Sequence, residues 1–346
     1  MFKTPIQTAL DLLGERKPLR TGQMTAVMNQ IMDGAATPAQ IGGLLMALKL
    51  NGESVRLITE AATVMRERAL KVEVSPEHLI DTCGTGGDGV GIFNVSTAVA
   101  FIAAAAGCRV AKHGNRSVSS STGSADVLEA AGMNLNLTPE QVAACIDRFN
   151  IGFLFAPAHH GATKHAVGPR KELAVRTMFN LLGPLTNPAD TPFQVMGIFA
   201  KQWVRTAAEV LKELGSKHVM VLHSDDGMDE ISLAAPTHVA ELKAGEVNEY
   251  TIQPEDFGIQ QQAIDDLVVA DADQSLALIQ QALTGQSGPA ADILALNAGA
   301  AIYVAGKADD MAGGVTQAQA IIQSGTAWDL LQALAVHTQS LQAGDA

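Results

Sequence analysis

Five glycines and one aspartate lie within eight positions of the 346-residue chain, in the stretch "DTCGTGGDGVGIFNVSTAV" (residues 81–99). The acid is Asp88, and the glycines are Gly84, Gly86, Gly87, Gly89 and Gly91. Glycines let backbone N–H groups approach a ligand closely, and the usual ligand of such a loop is a phosphate. A carboxylate beside a phosphate is repulsive unless a cation lies between them. The loop therefore predicts a phosphate site that also uses a cation.

The residues after this glycine loop begin a helix near Asn94, with Ser96 and Thr97 in its first turn. Exposed N–H groups at a helix N-terminus favour anions, which strengthens the phosphate interpretation. The loop also matches GxGxxG, but the dinucleotide fingerprint opens directly into a helix and needs an acid about 20 residues later. No Gly-Lys-Ser/Thr follows, so a Walker A loop is excluded. The alternative is a structural glycine turn with Ser96 and Thr97 as helix caps.

A second polar stretch, "KHGNRSVSSSTGSAD" (residues 112–126), follows the next apolar strand pattern. Its cationic, imidazole, amide and hydroxyl side chains are Lys112, His113, Asn115, Arg116, Ser117, Ser119, Ser120, Ser121, Thr122 and Ser124. A lysine offers a point charge to phosphate, and hydroxyls with backbone N–H groups complete a cradle. The pattern predicts a second anion site near the first; the alternative is a solvated linker.

A basic stretch, "PAHHGATKHAVGPRKELAVRT" (residues 157–177), concentrates histidines, lysines and arginines. Arg170 lies just after a proline, and its guanidinium suits a carboxylate ligand, because it can bind one bidentately. A metal site built from the histidines lacks HExxH and a carboxylate partner. The alternative is a solvated basic helix face, particularly for Lys171 and Arg176.

An acidic turn, "HSDDGMDE" (residues 223–230), ends another strand pattern. Mg²⁺ is held by a few carboxylates, keeps some water and takes its remaining ligands from substrate phosphates. Carboxylates that face two phosphate cradles therefore predict a magnesium site, to which Asp88 also contributes; an ordinary solvated turn is the alternative.

The order of these patterns predicts an α/β protein with two parts. Residues 1–70 show only helical patterns, including a helix that Thr21 is expected to cap. Residues 71–346 alternate strands with helices of about ten residues, which predicts a mainly parallel sheet flanked by helices. Ligands of such sheets bind beyond the carboxyl ends of the strands, and the glycine loop, the second polar stretch and the acidic turn all follow strands in this way. The segment near residues 165–185 is expected to pack back on the helical part.

The composition limits the classes of partner. A formal net charge of −13 and only 4% aromatic residues argue against nucleic-acid and membrane surfaces. The most apolar run, "AVAFIAAAAG", has ten residues, whereas a bilayer needs about 20. Cys83, Cys108 and Cys145 lack CxxC spacing and are odd in number, which predicts free thiols in a cytoplasmic protein.

The stretches "GTGGDG", "NVST", "KHGNRSVSSSTGSADVLEAAG", "FNLLGPLTNP" and "DDGMDE" together resemble the anthranilate phosphoribosyltransferase family, and the resemblance covers nearly the whole chain. It implies a small helical N-terminal domain and a larger α/β domain of nucleoside-phosphorylase class III architecture, assembled as a homodimer through the helical part. The implied reaction is the second step of tryptophan biosynthesis from chorismate. Phosphoribose passes from 5-phosphoribosyl 1-diphosphate (PRPP) to the amino group of anthranilate, with Mg²⁺, as two ions when PRPP is bound.

The resemblance also implies roles for individual residues. The catalytic residues would be Lys112, Asp88 and Glu230, and the metal ligands Ser96, Asp229 and Glu230. Anthranilate would bind Gly84, Asn115, His160 and Arg170, with Arg170 on its carboxylate. The PRPP-binding residues would be Gly84, Gly87, Asp88, Ile92, Asn94, Val95, Ser96, Thr97, Lys112, His113, Gly114, Asn115, Arg116, Ser117, Val118, Ser119, Ser120 and Ser124.

One position departs from the family pattern. Ile92 stands where the family usually has a threonine, so one hydroxyl that contacts PRPP is lost; the isoleucine is expected either to weaken phosphate binding or to fill a gap in the loop. A pyrimidine-nucleoside phosphorylase and a non-catalytic nucleic-acid-binding relative share the implied fold and are the alternative functions.

Overall fold

The computed structural model describes residues 2–117 and 122–343. The β-strands are β1 (Leu79–Asp81), β2 (Arg109–Gly114), β3 (Ile151–Phe155), β4 (Phe193–Gly197), β5 (His218–Ser224), β6 (Thr237–Lys243) and β7 (Glu246–Ile252). The α-helices are α1 (Pro5–Gly14), α2 (Gln23–Met32), α3 (Pro38–Asn51), α4 (Val55–Arg68), α5 (Val95–Ala105), α6 (Ser124–Ala130), α7 (Pro139–Phe149), α8 (Ala156–His159), α9 (Lys164–Leu173), α10 (Phe179–Leu182), α11 (Val204–Glu213), α12 (Ala272–Leu283), α13 (Pro289–Val304), α14 (Met311–Ser324) and α15 (Thr326–Ala343).

Three of the first four helices, α1, α3 and α4, begin at a hydroxyl side chain that caps the first turn. At α3, the Thr37 side chain accepts from the Gln40 N–H, the Gln40 side chain accepts in return, and a proline occupies the first turn. The prediction that Thr21 caps α2 is wrong. Gly22 precedes the first helical residue with φ +80°, a left-handed conformation that costs a glycine little.

The strands within the described residues form one seven-stranded sheet in the order β3-β2-β1-β4-β5-β6-β7. Neighbours from β3 to β5 pair in parallel, and β6 and β7 add an antiparallel hairpin at one edge. The expectation of an α/β fold with a mainly parallel sheet flanked by helices, preceded by a helical region, is confirmed.

Two large apolar cores cover the two faces of the sheet. On one face, α5 and α13 pack beneath the strands and are buried almost throughout. On the other face, α11 and the side chains of β4 and β5 share one core with α1–α4. Helix α9 packs on α3, and α10 packs on α4, so chain from the region around residues 165–185 lies against the N-terminal helices.

The sheet leaves β1 much shorter than its neighbour β2. The last residue pair between them is Ile80↔Val110, after which β1 turns away into the glycine loop while β2 continues beside β3 to Gly114. The carboxyl ends of β1, β2 and β5 therefore open onto a common edge of the sheet, where the polar stretches begin. No helix in the described ranges is both long and apolar enough to cross a bilayer.

Candidate active site

The glycine loop after β1 depends on backbone conformations that side chains resist. Gly86, Gly87, Gly89 and Gly91 have φ between +61° and +86°. At Gly84 the limit is space, because a Cβ there would lie 2.9 Å from Asp229 Oδ2. The loop therefore leaves its backbone accessible to a ligand, and the Asp229 carboxylate packs directly against it at Gly84.

Three carboxylates meet beside this loop. Oxygen atoms of Asp88, Asp229 and Glu230 lie within 4.8 Å of one another. The Gly86 N–H donates to Asp229 Oδ2 at 2.8 Å, which fixes the carboxylate under the loop. The backbone of the acidic turn is held from below, because the Ile231 N–H donates to Asn297 Oδ1 at 2.9 Å.

The carboxylates destabilise one another's charged forms. Burial, followed by the charges of Asp229 and Asp88, raises the pKa of Glu230 well above its usual range. Burial and the charge of Asp229 likewise raise the pKa of Asp88. Glu230 Oε2 is buried and has no hydrogen-bond partner within the described chain. An uncompensated oxygen in a cluster of hard oxygen donors is the arrangement that suits Mg²⁺.

The acidic turn divides into two halves. Asp225 is exposed and lies 2.8 Å from His238 Nε2, and Asp226 binds the hydroxyl of Ser232. Only the second half of the turn, Asp229 and Glu230, lies beside the glycine loop.

Strand β2 brings a buried cation to the same place. Lys112 is 3% exposed, and its Nζ donates to the Thr82 carbonyl at 3.2 Å and to Ser96 Oγ at 3.4 Å. The ammonium group therefore joins the end of β1 to the first turn of α5. In that turn Thr97 Oγ1 is buried without a partner among the described residues, and Val95 is fully buried.

The start of α5 is held in place by a distant helix. Asn94 donates its N–H to Ser275 Oγ at 3.0 Å and accepts the Ser275 hydroxyl at 2.8 Å. Its amide also donates to the Thr122 carbonyl at 3.4 Å, so Asn94 orients the loops around it. Ile92 forms an isolated antiparallel bridge with Val268 and packs against the core, as expected of a residue that fills the loop.

The segment after β2 contains several of the predicted PRPP-binding residues, and only some of them are among the described residues. Val118, Ser119 and Ser120 belong to the undescribed stretch. A Cβ on Gly114 would lie 2.2 Å from Ser124 Oγ, and this hydroxyl donates to the Asn115 carbonyl at 3.3 Å.

Two acidic side chains of α6, Asp126 and Glu129, fix this segment further. Arg116 is paired with Glu129 and lies over the Phe155 ring, 5.6 Å from its centroid. The Ser117 N–H donates to Asp126 Oδ2 at 3.0 Å.

Two neutral histidines, His113 at the end of β2 and His160 after α8, lie next to each other. The ring centroids of His113 and His160 lie 5.3 Å apart. Both ring nitrogens of His113 and Nε2 of His160 are buried, and by distance and angle none of them has a hydrogen-bond partner among the described residues. Burial, with smaller contributions from neighbouring positive charge, lowers the pKa of His113 well below its usual range and that of His160 to about 4. The pair therefore offers uncharged imidazoles.

Arg170 lies on α9 with its guanidinium 5.6 Å from the Phe179 ring centroid. Within the described ranges it makes no side-chain hydrogen bond or ion pair, and burial lowers its pKa. Six residues later, Arg176 donates to the Gly87 carbonyl, which links this segment to the glycine loop. A half-buried arginine with no carboxylate partner among the described residues can pair with an anionic ligand.

Several residues to which the sequence analysis gave no role support the site. Asp81 and Thr82 bind His113 and Lys112, Asn187 binds Asp81, Ser275 binds Asn94, and Asn297 binds the backbone next to Glu230. Asp81, Thr82 and Asn187 lie within the stretches quoted above, whereas the only sequence signal of Ser275 and Asn297 is a polar residue within an apolar pattern.

Comparison with known proteins agrees with this geometry. A model described as "Glycosyl transferase family, a/b domain" matches residues 76–328, and one described as "Glycosyl transferase family, helical bundle domain" matches residues 7–69. The chain is 59% identical to the anthranilate phosphoribosyltransferase of Marinomonas sp. (strain MWYL1), over 98% of this chain and 99% of that protein. The chain belongs to the anthranilate phosphoribosyltransferase family.

Solved structures of this family share the fold. The anthranilate phosphoribosyltransferase of Thermus thermophilus superposes with a TM-score of 0.91 at 40% identity, covering 96% of this chain and 99% of that one. The Saccharomyces cerevisiae enzyme in complex with PRPP and Mg has a TM-score of 0.88 at 22% identity, covering 98% and 99%, and supports the fold alone.

Proposed function

We propose that this site transfers the 5-phosphoribosyl group of PRPP to the amino group of anthranilate, the pentosyltransferase reaction of the family. The products are N-(5-phosphoribosyl)anthranilate and diphosphate. The observation that supports the proposal most is the meeting of a glycine-loop backbone, the buried Lys112 and three carboxylates at one edge of the sheet. These groups could bind the phosphates and their cation together at this single end of the sheet.

The proposed PRPP contacts come from the glycine loop and the first turn of α5, and the proposed metal ligands come mainly from the acidic turn. The glycine-loop N–H groups and the first turn of α5 would hold the phosphates, with Ser96 and Thr97 supplying hydroxyls. Asp229 and Glu230, with Ser96, would hold Mg²⁺, as two ions once PRPP is bound, and Asp88 would join their hydration shell. Mg²⁺ bound there offsets the charge of the diphosphate and makes it a better leaving group.

The chemical step requires no nucleophile from the protein. The C1–O bond of the ribose breaks with its electron pair going to diphosphate, and the lone pair of the anthranilate nitrogen forms the new bond to C1. The nitrogen then gives up one proton, which the departing diphosphate or water accepts. Lys112 and the loop N–H groups stabilise the departing diphosphate by preorganised charge. Cys83 is the nearest thiol in sequence, and burial, with the charge of Asp81, raises its pKa to about 12, which leaves it unreactive.

Anthranilate would enter from the side of α9. Arg170 would bind its carboxylate, and Gly84, Asn115 and His160 would contact the ring and amino group. Because His113 and His160 are neutral, they do not compete with Arg170 for the carboxylate.

The organisation of the chain is also part of the proposal. The helical domain would end near residue 70, which the two matched family ranges support. A homodimer would form through this domain, which carries the exposed side chains of Phe2 and Leu50. The three cysteines are unpaired, which supports the expected cytoplasmic location.

The direct test follows the loss of anthranilate fluorescence with PRPP and Mg²⁺, each omitted in turn. Signal should be lost only when all three components are present. Arg170→Ala should raise the KM for anthranilate about 10- to 100-fold, because each charge-assisted hydrogen bond contributes roughly 1.5–3 kcal/mol. The exposed Lys171→Ala on the same helix is the matched control. Turnover of a pyrimidine nucleoside with inorganic phosphate, or a selective effect of Arg170→Ala on the KM for PRPP, would contradict the proposal.

A further inference from the structure

The end of strand β2 lacks a strand partner on one side. Beyond the Ile80↔Val110 pair, β1 no longer runs beside β2, while β3 pairs with β2 up to Gly114. Alternate residues of a strand direct their backbone groups to opposite neighbours, so the Ala111 carbonyl and the His113 N–H face the missing partner. Both groups are buried and need hydrogen bonds.

Two side chains take the place of the missing strand. Asn187 Nδ2 donates to the Ala111 carbonyl at 2.8 Å and to Asp81 Oδ2 at 2.7 Å. The His113 N–H donates to the other oxygen, Asp81 Oδ1, at 3.2 Å. Asn187 is itself oriented, because its Oδ1 accepts the Ala189 N–H at 2.8 Å. Asp81 and Asn187 are 0% and 1% exposed, so water does not offer an alternative partner.

We infer that Asp81 and Asn187 are positioning residues, which hold the end of β2 so that Lys112 is aimed at the diphosphate of PRPP. The inference rests on the proposed function. Lys112 lies between Ala111 and His113, the two residues whose backbones the pair binds. Among the described residues, its ammonium group donates to two neutral acceptors, the Thr82 carbonyl and Ser96 Oγ. The charge of Lys112 lowers the pKa of Asp81, so the two groups interact electrostatically at this strand end.

The cost of burying Asp81 supports a functional reason for keeping it. Burial raises the pKa of this carboxyl group to about 6, and the charge of Lys112 is the largest influence in the opposite direction. A buried ion pair is weak evidence for stability, because apolar side chains of the same volume often serve as well. A buried carboxylate at the end of a central strand is better explained by the geometry that it imposes on Lys112.

A metal ion is a poorer explanation of the same residues. Asp81, Cys83 and His113 have possible ligand atoms within 4.8 Å of one another. Both oxygens of Asp81 already accept N–H groups of the protein, and the cation of Lys112 lies nearby. A divalent ion would have to displace these hydrogen bonds and face an ammonium group.

The inference is tested with the full chain by a double-mutant cycle on kcat/KM for PRPP, at saturating anthranilate and Mg²⁺. Asp81→Asn removes the charge but keeps the shape, and it leaves one of the facing N–H donors without an acceptor. Asp81→Asn and Asn187→Ala should each lower kcat/KM by about 10- to 100-fold, the range seen when a supporting partner of a site residue is removed. In a Lys112→Ala background, Asp81→Asn should lower it by less than about threefold, because the two residues act as one unit.

The control is a buried amide away from the site. The Asn134 side chain donates from Nδ2 to the Thr338 carbonyl on α15 at 3.5 Å, and its Oδ1 accepts the Asn136 N–H at 3.0 Å. Asn134→Ala removes both bonds and should lower the thermal midpoint while kcat/KM stays within about twofold. An equal loss from Asp81→Asn in both backgrounds, or a lowered midpoint with unchanged kcat/KM, would overturn the inference. If Asp81→Asn does not fold, Asn187→Ala provides the same cycle. An inactive wild-type chain would instead contradict the proposed function, so the two failures are distinguishable.

Discussion

At the scale of single residues, the site keeps groups together that would be more stable apart. Asp88, Asp229 and Glu230 repel one another, and Glu230 Oε2 has no partner in the described chain. Sites of this kind hold a free-energy cost in the unliganded protein that ligand binding relieves. The stability of the chain without Mg²⁺ should therefore be limited by the three carboxylates that we propose as part of the reaction site.

Glu230→Gln should separate these two effects. Because the pKa of Glu230 is raised in the folded protein, its ionisation at pH 7 favours the unfolded chain. The amide has no ionised form, so the thermal midpoint at pH 7 without Mg²⁺ should rise, while turnover with Mg²⁺ falls at least about 100-fold as the ligand is lost. Mg²⁺ with PRPP should raise the midpoint of the wild type more than that of the variant, since a ligand stabilises the state that binds it. Differential scanning calorimetry and the fluorescence assay measure both quantities.

The control for this variant is Asp225→Asn in the same turn, because Asp225 is exposed and paired with His238. Its turnover should stay within about twofold of the wild type. Full activity of Glu230→Gln would remove Glu230 from the proposed set of ligands.

The same scale shows how far the sequence could predict the site. Residue types and strand ends were sufficient to select Lys112 and the acidic turn, because cations, carboxylates and glycines have recognisable chemistry. Only the family resemblance singled out Asp229 and Glu230 within that turn. Asp81 and Asn187 lie in quoted stretches but received no role, because their partners lie up to 106 positions away and depend on where β1 leaves β2. Asn94 was predicted as a ligand contact, but its hydrogen bonds to Ser275 could not be anticipated without knowing that α12 packs there.

At the scale of elements, the parallel strands β1, β2, β4 and β5 could be predicted because they are short apolar runs followed by loops. The strands β6 and β7 were not identified, because β6 interrupts its buried residues with partly exposed ones and β7 is mostly exposed. This hairpin is tied to the rest of the fold by Glu241 on β6. Its carboxylate accepts hydrogen bonds from His218 at 2.7 Å, Tyr303 at 2.8 Å and Tyr250 at 2.9 Å.

Glu241 should make the hairpin sensitive to acid. Burial raises the pKa of Glu241, but the three hydrogen bonds outweigh it and lower the pKa to about 2. A lowered pKa stabilises the fold above the pKa of the unfolded chain, about 4.3, and this contribution disappears as pH falls towards 2. Glu241→Gln should therefore lower the free energy of unfolding at pH 7 by about 1–3 kcal/mol.

The difference between Glu241→Gln and the wild type should shrink between about pH 4.3 and 2, as urea unfolding at several pH values would show. Glu246→Gln on the exposed β7 is the control and should have no such effect. A difference that stays constant down to pH 2 would mean that shape, not charge, links Glu241 to its neighbours.

At the scale of the whole molecule, the N-terminal helices and the sheet are not independent. Met196 of β4, Val221 of β5 and Leu211 of α11 belong to the same core as Leu44 of α3 and Ile58 of α4. The glycine loop is connected to this core, because the Thr85 N–H donates to the Gly197 carbonyl at 2.9 Å. Movement of the helices relative to the sheet should therefore displace the glycine loop, where we propose that phosphate binds.

A shared core predicts that the chain unfolds in one cooperative transition. Met196→Ala creates a cavity in this shared core and should lower the free energy of unfolding by about 2–5 kcal/mol. Because residues of both parts belong to this core, calorimetry should show a single peak that moves to lower temperature as a whole. Val336→Ala, on the exposed face of α15, should shift the free energy by less than about 0.5 kcal/mol. Two peaks, of which Met196→Ala moves only one, would show that the helices and the sheet fold separately despite their contact.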